Sequence, residues 1–287
     1  MAERDPWGEN VLVEFEEGIA WVTLNRPSKR NAMNPALIAE MKATVETLAI
    51  DERCKVFVLT GAGESFSAGM DLDEYFRQTD GGPDTLLLAL RRMNEEWQWR
   101  RLRDCPKPSI AMVNGWCFGG AFTPLVACDL AVAAEEAVFG LSEINWGILP
   151  AGNVTKAASE ALGYRDALYL VMTGEPFDGR AAAQKGLVNL AVPRAQLRER
   201  TRMLAKVLLE KNQTVLRGAK IAMKRCRALD WDTSADYLYA KIAEAMYLGG
   251  QGNRDLAMRG FLDEKNYRPG LESFKTDGKD PSGGERG

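Results

Sequence analysis

No histidine occurs anywhere in the 287 residues, and that absence removes several kinds of chemistry at once. A Ser-His-Asp triad, a Cys-His pair, a His-Glu-x-x-His metal site and a histidine acid–base catalyst are all excluded within one kind of chain. Proton transfer must run through Glu, Asp, Tyr, Lys, Cys or water. The five cysteines, Cys54, Cys105, Cys117, Cys128 and Cys226, are odd in number and scattered, with no Cys-x-x-Cys spacing. That pattern fits reduced thiols in a cytoplasmic protein rather than a disulfide framework or a zinc site. No run approaches the roughly 18 apolar residues of a membrane span, and residues 1–7 lack the basic and apolar stretches of a secretory leader. The expectation is a soluble, untargeted protein with no membrane partner. Basic charge is not in excess either: 37 Lys and Arg against 40 Asp and Glu leave a net charge of −3. General attraction to nucleic acid is therefore not expected, and a polyanionic ligand would need a local basic cluster.

A hydrophobic content of 46% over this length is enough for one large domain or two small ones. Residues 11–15 and 19–24 read as two strands around Glu16-Glu17-Gly18, a hairpin signal. A polar, basic loop at 25–31 leads to Asn34 and Pro35, an N-cap and first-turn pair, after which Leu37, Met41, Val45 and Leu48 recur at helical spacing. A buried strand at 56–60 runs into a glycine-rich loop ending at Met70. Residues 85–103 form a long charged helix whose Trp97 and Trp99 suit packing and whose arginines suit a solvated face. Apolar strands at 110–113 and 129–133 follow. Beyond Trp146 helical spacing dominates, at 153–162, 165–172, 179–185, 195–211, 214–228 and 232–247, with one strand-like run at 187–192. Alternating strands and helices that give way to helices imply an α/β core over 7–193 and a helical region over 194–271. Residues 272–287, rich in Gly, Lys and Asp, read as a disordered tail.

The chemistry gathers in 114–146. Gly119-Gly120 breaks the apolar strand, and a helix-like segment with Pro124 in its first turn resumes after it. First-turn amides have no intrahelical partner, and paired glycines let a ligand approach the backbone, so this stretch can serve as half of an oxyanion hole. It can equally be a turn that only joins strand to helix. Further on, Phe139-Gly-Leu-Ser-Glu143-Ile-Asn-Trp146 holds a single carboxylate among apolar residues, where partial desolvation would raise its pKa toward values useful for proton transfer. The loop ending at Met70 could supply a second backbone donor. Gly61-Ala-Gly-Glu-Ser-Phe66 also follows a strand, as a dinucleotide fingerprint would. Its sixth position is Phe66 rather than Gly, and no helix pattern starts at once, which argues against that use.

Phe66-Ser-Ala-Gly-Met-Asp-Leu72, then Asn114-Gly-Trp-Cys-Phe-Gly-Gly-Ala121, then Phe139 to Gly147 resemble the crotonase (enoyl-CoA hydratase/isomerase) superfamily. Within it the sequence is most similar to the hydroxycinnamoyl-CoA hydratase-lyases, to which Trp116-Cys-Phe-Gly-Gly120, Ser142 to Gly147 and Asp236-Tyr-Leu-Tyr-Ala-Lys241 add subfamily-level matches. The resemblance spans about 7–271. It implies a spiral of ββα units, C-terminal helices that pack on a neighbouring subunit, and a homotrimer or homohexamer. It also implies an acyl-CoA substrate, with no cofactor other than the coenzyme A that the substrate carries.

By motif position the resemblance gives the oxyanion donors as the N–H groups of Met70 and Gly120 and the catalytic acid–base as Glu143. Two-glutamate hydratases carry a second glutamate where this chain has Thr123. That departure argues against routine fatty-acyl hydration and agrees with the hydratase-lyases, in which Thr123 would orient water or a neighbour; as a plain structural role it could cap its helix. The implied reaction is hydration of a feruloyl-, coumaroyl- or caffeoyl-CoA followed by retro-aldol cleavage to a hydroxybenzaldehyde, such as vanillin, and acetyl-CoA. Tyr75 and Tyr239 match phenol contacts, though each also suits packing, and Gly152 would line that end of the pocket. Lys29 would contact phosphate, with Arg26 and Arg30 adding positive potential. Ala68 and Leu72 would meet the coenzyme through backbone groups, and Ser142 and Trp146 flank Glu143. An enoyl-CoA isomerase, which also needs one glutamate, and a non-catalytic acyl-CoA-binding protein remain as alternatives.

Overall fold

The computed structural model describes residues 7–249, 252–266 and 268–269. The tail expected at 272–287 lies outside the described residues. β1 (Val11–Glu16) and β2 (Ile19–Leu24) form an antiparallel hairpin. Asn34 then caps α1 (Pro35–Ile50), its Oδ1 accepting the Leu37 N–H at 2.9 Å, and the Leu37, Met41, Val45 and Leu48 stripe is buried. β3 (Val56–Gly61) and β4 (Ser65–Ser67) lead into a π-helical turn over Leu72–Arg77. α2 (Asp84–Glu95) passes through a second π-helical turn, Glu96–Arg101, into α3 (Leu102–Asp104). β5 (Ser109–Val113), β6 (Trp116–Phe118) and a tight turn at Gly119–Ala121 precede α4 (Phe122–Ala127). β7 (Leu130–Ala134), β8 (Val138–Gly140) and a tight turn at Ser142–Trp146 precede α5 (Val154–Ala161) and α6 (Tyr164–Thr173). β9 (Phe177–Asp178), α7 (Gly179–Gln184), β10 (Leu190–Val192) and α8 (Arg194–Leu209) follow.

The recurring unit is two strands and then helix, and its strands are shared between two sheets. One sheet has the order β1-β2-β3-β5-β7-β10, and the other β4-β6-β8-β9. Pairing is parallel except at β1–β2 and β8–β9. Every residue of β3 and β5 is buried, as expected of parallel strands covered on both faces and therefore legible as apolar runs. The second sheet was not legible. Its strands are two or three residues long, too short to show a period.

The chain divides into two compact units, Met1–Ala205 and Lys206–Gly287, the division falling within α8. The second unit is helical, with α9 (Gln213–Cys226), α10 (Trp231–Gly249) and α11 (Gly252–Leu262). Among the described residues no helix is long and apolar enough to cross a membrane.

One ion-pair network pins the loop at 25–34 to the Met70 segment. The Arg26 guanidinium, 10% exposed, meets Asp71 at 2.8 Å and Glu74 at 2.5 Å and donates to the Ala32 carbonyl at 2.6 Å. Asn34 Nδ2 donates to the second Glu74 oxygen at 2.6 Å, and Asp71 Oδ1 accepts the Asp73 and Glu74 amides that open the π-helical turn. Arg26, expected to lend positive charge to a ligand, is therefore engaged by two carboxylates instead. Burial by itself would raise the Asp71 pKa, but the Glu74 amide, Arg26 and the Asp73 amide outweigh it and hold this carboxyl below its ordinary range. Removing one member of such a buried pair leaves an uncompensated charge, so Arg26→Ala should lower unfolding stability by about 3–5 kcal/mol in denaturant titration. Because the folded pKa of Asp71 is the depressed one, its contribution is complete above the unfolded value near 4 and is lost as pH falls below that. The stability gap between parent and Arg26→Ala should therefore narrow in acid.

Candidate active site

Three consecutive strands of the smaller sheet each end at the same place. β4 leads to Met70, β6 to Gly119-Gly120 and β8 to Glu143. Met33 fixes the first of these by a strand-like bridge: its N–H donates to the Gly69 carbonyl at 2.8 Å and its carbonyl accepts the Asp71 N–H at 3.1 Å. The alternation of an extended chain then turns the Met70 N–H to the opposite side. Gly120 sits at the opening of its turn, where an amide has no acceptor behind it. Among the described residues neither N–H donates a hydrogen bond within the chain.

Glycine makes the approach of these loops possible. Gly69 has φ +91, and a Cβ there would lie 2.7 Å from the Phe118 carbonyl oxygen and 3.1 Å from the Gly120 nitrogen. Gly119 has φ +52, and a Cβ there would lie 2.9 Å from Glu143 Oε1. Glu143 is thus seated against Gly119. Its turn closes at Gly147, φ +70, with the Ile148 N–H donating to the Glu143 carbonyl at 3.0 Å. The other carboxylate oxygen, Oε2, is buried with no hydrogen-bond partner. Burial pushes this carboxyl up from its ordinary pKa, and its own backbone N–H offsets the shift only in part.

Thr123 is buried and does not cap α4, whose N-cap is Ala121. Its hydroxyl donates to the Gly152 carbonyl at 3.3 Å, so these two expected residues meet. Tyr75 lies in the π-helical turn five positions after Met70. Its ring is buried, and burial foremost raises its pKa, with Arg91 opposing and Glu95 reinforcing the shift. Tyr239 belongs to the second unit, on α10, with 74% of its surface exposed. Lys29 is exposed at the end of the short turn Pro27–Lys29. The Ala68 N–H donates to the Arg30 carbonyl at 2.9 Å, which ties the basic loop to the Met70 loop and leaves the Ala68 carbonyl for other contacts. The Arg30 guanidinium lies 4.8 Å from the Trp116 ring centre. Leu72 and Trp146 are exposed and Ser142 is half-buried.

Several residues that shape the site were not singled out from the sequence. Asn31, fully buried at φ +56, donates to the Ala62 and Ser65 carbonyls, and Ser67 Oγ donates to the Asn31 carbonyl and accepts the Gly69 N–H. The signal available was an asparagine in a polar loop, which tolerates left-handed backbone better than most residues. Gly174, φ +67, allows the end of α6 to lie against Ile144 and Asn145 beside Glu143.

Among the described residues this arrangement brings together two free backbone donors and one partly desolvated carboxylate, with Thr123 where a second acid would stand. Residues 14–267 match the model of the family described as enoyl-CoA hydratase/isomerase. The chain belongs to the enoyl-CoA hydratase/isomerase family. It is 57% identical over 267 residues to a hydroxycinnamoyl-CoA hydratase-lyase of Pseudomonas fluorescens, covering 93% of this chain and 97% of that one. A 2,3-dehydroadipyl-CoA hydratase of Escherichia coli K12 is 33% identical over 215 residues, covering 75% and 82%. The crystal structure of an enoyl-CoA hydratase from Bacillus anthracis matches with a TM-score of 0.79 at 26% identity, covering 89% and 96%. The spiral of ββα units and the helical C-terminal region are those of this family.

In an enoyl-CoA hydratase/isomerase, addition or proton transfer beside a thioester builds negative charge on the carbonyl oxygen. Donors fixed where that charge develops are worth several kcal/mol. Gly119→Ala should abolish turnover in a steady-state assay, because its methyl would displace the Glu143 carboxylate and strain the backbone. Glu143→Gln removes a charge that folding desolvates. A raised folded pKa means that the parent pays this penalty above that pKa and escapes it in acid. The thermal midpoint of Glu143→Gln should therefore exceed the parent's at pH 8 by more than at pH 5.

Proposed function

We propose that this enzyme hydrates a 4-hydroxycinnamoyl-CoA and then cleaves the adduct to a hydroxybenzaldehyde and acetyl-CoA. The observation that carries the reading is the Glu143 carboxylate held against Gly119 with its Oε2 buried and unpartnered, and Thr123 at the position of a second acid. Similarity to the Pseudomonas fluorescens hydratase-lyase supports the substrate class.

In the first stage Glu143 takes a proton from water as the oxygen bonds to Cβ, and the thioester becomes an enolate whose oxygen accepts from the Met70 and Gly120 amides. Protonation at Cα by Glu143 completes hydration. In the second stage the carboxylate removes the β-hydroxyl proton, the electron pair forms the aldehyde carbonyl, and the Cα–Cβ bond breaks. The electrons of that bond pass to the acetyl-CoA enolate, which Glu143 protonates. One carboxylate suffices because each stage returns it to its starting form. Every step is a proton transfer or a bond exchange within substrate and water, so the cycle needs no redox group or metal.

Feruloyl-CoA, giving vanillin, is the substrate we favour among the hydroxycinnamoyl thioesters. The para-hydroxyl feeds electrons to the benzylic carbon, and Tyr75 and Tyr239 are candidates to hold it, with Gly152 lining the same end. Lys29, with Arg30 nearby, would meet the coenzyme phosphates, while Ala68, Leu72, Ser142 and Trp146 would line its path. Self-association as a trimer or hexamer is the expected assembly. Ile144, Trp146, Ile148 and Leu149 are 43–74% exposed beside Glu143 in a single chain, and exposed apolar side chains that cluster are the usual mark of an interaction surface. None of the five cysteines is in a disulfide, which accords with a cytoplasmic setting.

Incubation with feruloyl-CoA should release vanillin and acetyl-CoA in equal amounts, and Glu143→Gln should bind the thioester without turnover. Accumulation of a stable hydroxyacyl thioester, or mere migration of a double bond, would overturn the lyase reading. Sedimentation velocity should give at least three times the monomer mass, and Trp146→Glu should shift that distribution toward smaller species.

A further inference from the structure

A buried polar layer lies behind the two oxyanion donors, and the proton chemistry does not use it. Gln98, in the second π-helical turn, is 2% exposed, and its Nε2 donates toward the Met33 sulfur at 3.4 Å and the Met70 sulfur at 3.7 Å. Asn94, near the end of α2, is 8% exposed, and its Nδ2 donates to Gln98 Oε1 at 3.3 Å and toward the Met70 sulfur at 3.8 Å. Asn94 Oδ1 is buried with no partner. Across the methionines from these amides stands Gly120. A Cβ there would lie 3.1 Å from Met70 Cγ, 3.3 Å from Met70 Sδ and 3.3 Å from Met33 Cε.

Energetics make this layer hard to explain as packing. A thioether is a weak acceptor, so two carboxamides turned from water toward sulfur recover little of what they lose, and leucines would fill the space at lower cost. Direction is what the amides add. Methionine has three rotatable bonds and adapts to its surroundings, which is a liability behind a donor whose aim must hold to within a fraction of an ångström. Met33 and Met70 both stand there, and Met70 carries the other donor on its own backbone.

We infer that Asn94 and Gln98 are positioning residues: they lock the Met33 and Met70 side chains and so hold the Met70 and Gly120 amides at the spacing an enolate oxygen needs. They act through the thioethers and touch no reacting atom. The inference rests on the function proposed above. With 4-coumaroyl-CoA, Gln98→Leu and Asn94→Leu should each lower kcat by about tenfold while KM moves less than about twofold. The thermal midpoint should hold or rise, since polar groups poorly satisfied in the core are removed. Met33→Leu combined with Met70→Leu should lose kcat similarly, and adding Gln98→Leu to that pair should cost little more, because the carboxamide then has no sulfur to grip. Parental kcat in the Leu variants, or a full further loss of activity in the double-methionine background, overturns the inference. Should Gln98→Leu fail to fold, Asn94→Ala read in the same two backgrounds decides it. Absence of turnover in the unaltered enzyme overturns the functional reading instead.

Discussion

The site exists because backbone can approach backbone more closely than side chains allow. A Cβ at Gly69 would lie 2.7 Å from the Phe118 carbonyl oxygen and one at Gly119 would lie 2.9 Å from the Glu143 carboxylate, both closer than a methyl group packs. Both glycines also adopt left-handed backbone, which other residues reach only at a cost. Two amides and one carboxylate from three separate segments thereby share one small volume. Water is largely kept from the carboxylate there, so the same crowding that assembles the donors also sets the basicity of Glu143.

The surrounding network serves that approach. Met33 holds the Met70 loop by its backbone and supports Gly120 with its side chain. Arg26 holds the loop bearing Met33 against Asp71 and Glu74, and Asn34 joins this group to the first turn of α1. The charges of this network are paired with one another, whereas Glu143 Oε2 is buried with no hydrogen-bond partner. A buried carboxylate oxygen beside two donor amides, with its pKa raised by burial, has the character of a group kept for reaction.

Much of this was legible in the sequence, and what was missed has physical reasons. β2, β3, β5 and α1 were readable because burial imposes an apolar run on a covered parallel strand and a stripe on a helix, and Asn34-Pro35 punctuates the start of α1. Glu143, Met70 and Gly120 came from a lone acid among apolar residues and two glycine breaks, sharpened by family resemblance. The smaller sheet was invisible because strands of two or three residues carry no period. Arg26 read as a source of local positive potential because nothing local announces that Asp71 and Glu74, some 45 and 48 positions on, will meet it. Asn94 and Gln98 were hidden among the arginines of a helix that reads as charged, since the π-helical turn at Glu96–Arg101 shifts which residues face inward.

The smaller sheet also works as a ruler. Neighbouring β-strands are locked about 4.8 Å apart by their ladder of hydrogen bonds, and β4, β6 and β8 each carry one reactive group just past their ends. The intervals between these groups are inherited from the ladder, and no loop has to measure them out. A family built this way can exchange one residue beyond the strand ends, as Thr123 on α4 stands where a two-acid site has its second glutamate, and obtain a new reaction while Glu143 and the strand-end donors stay in step.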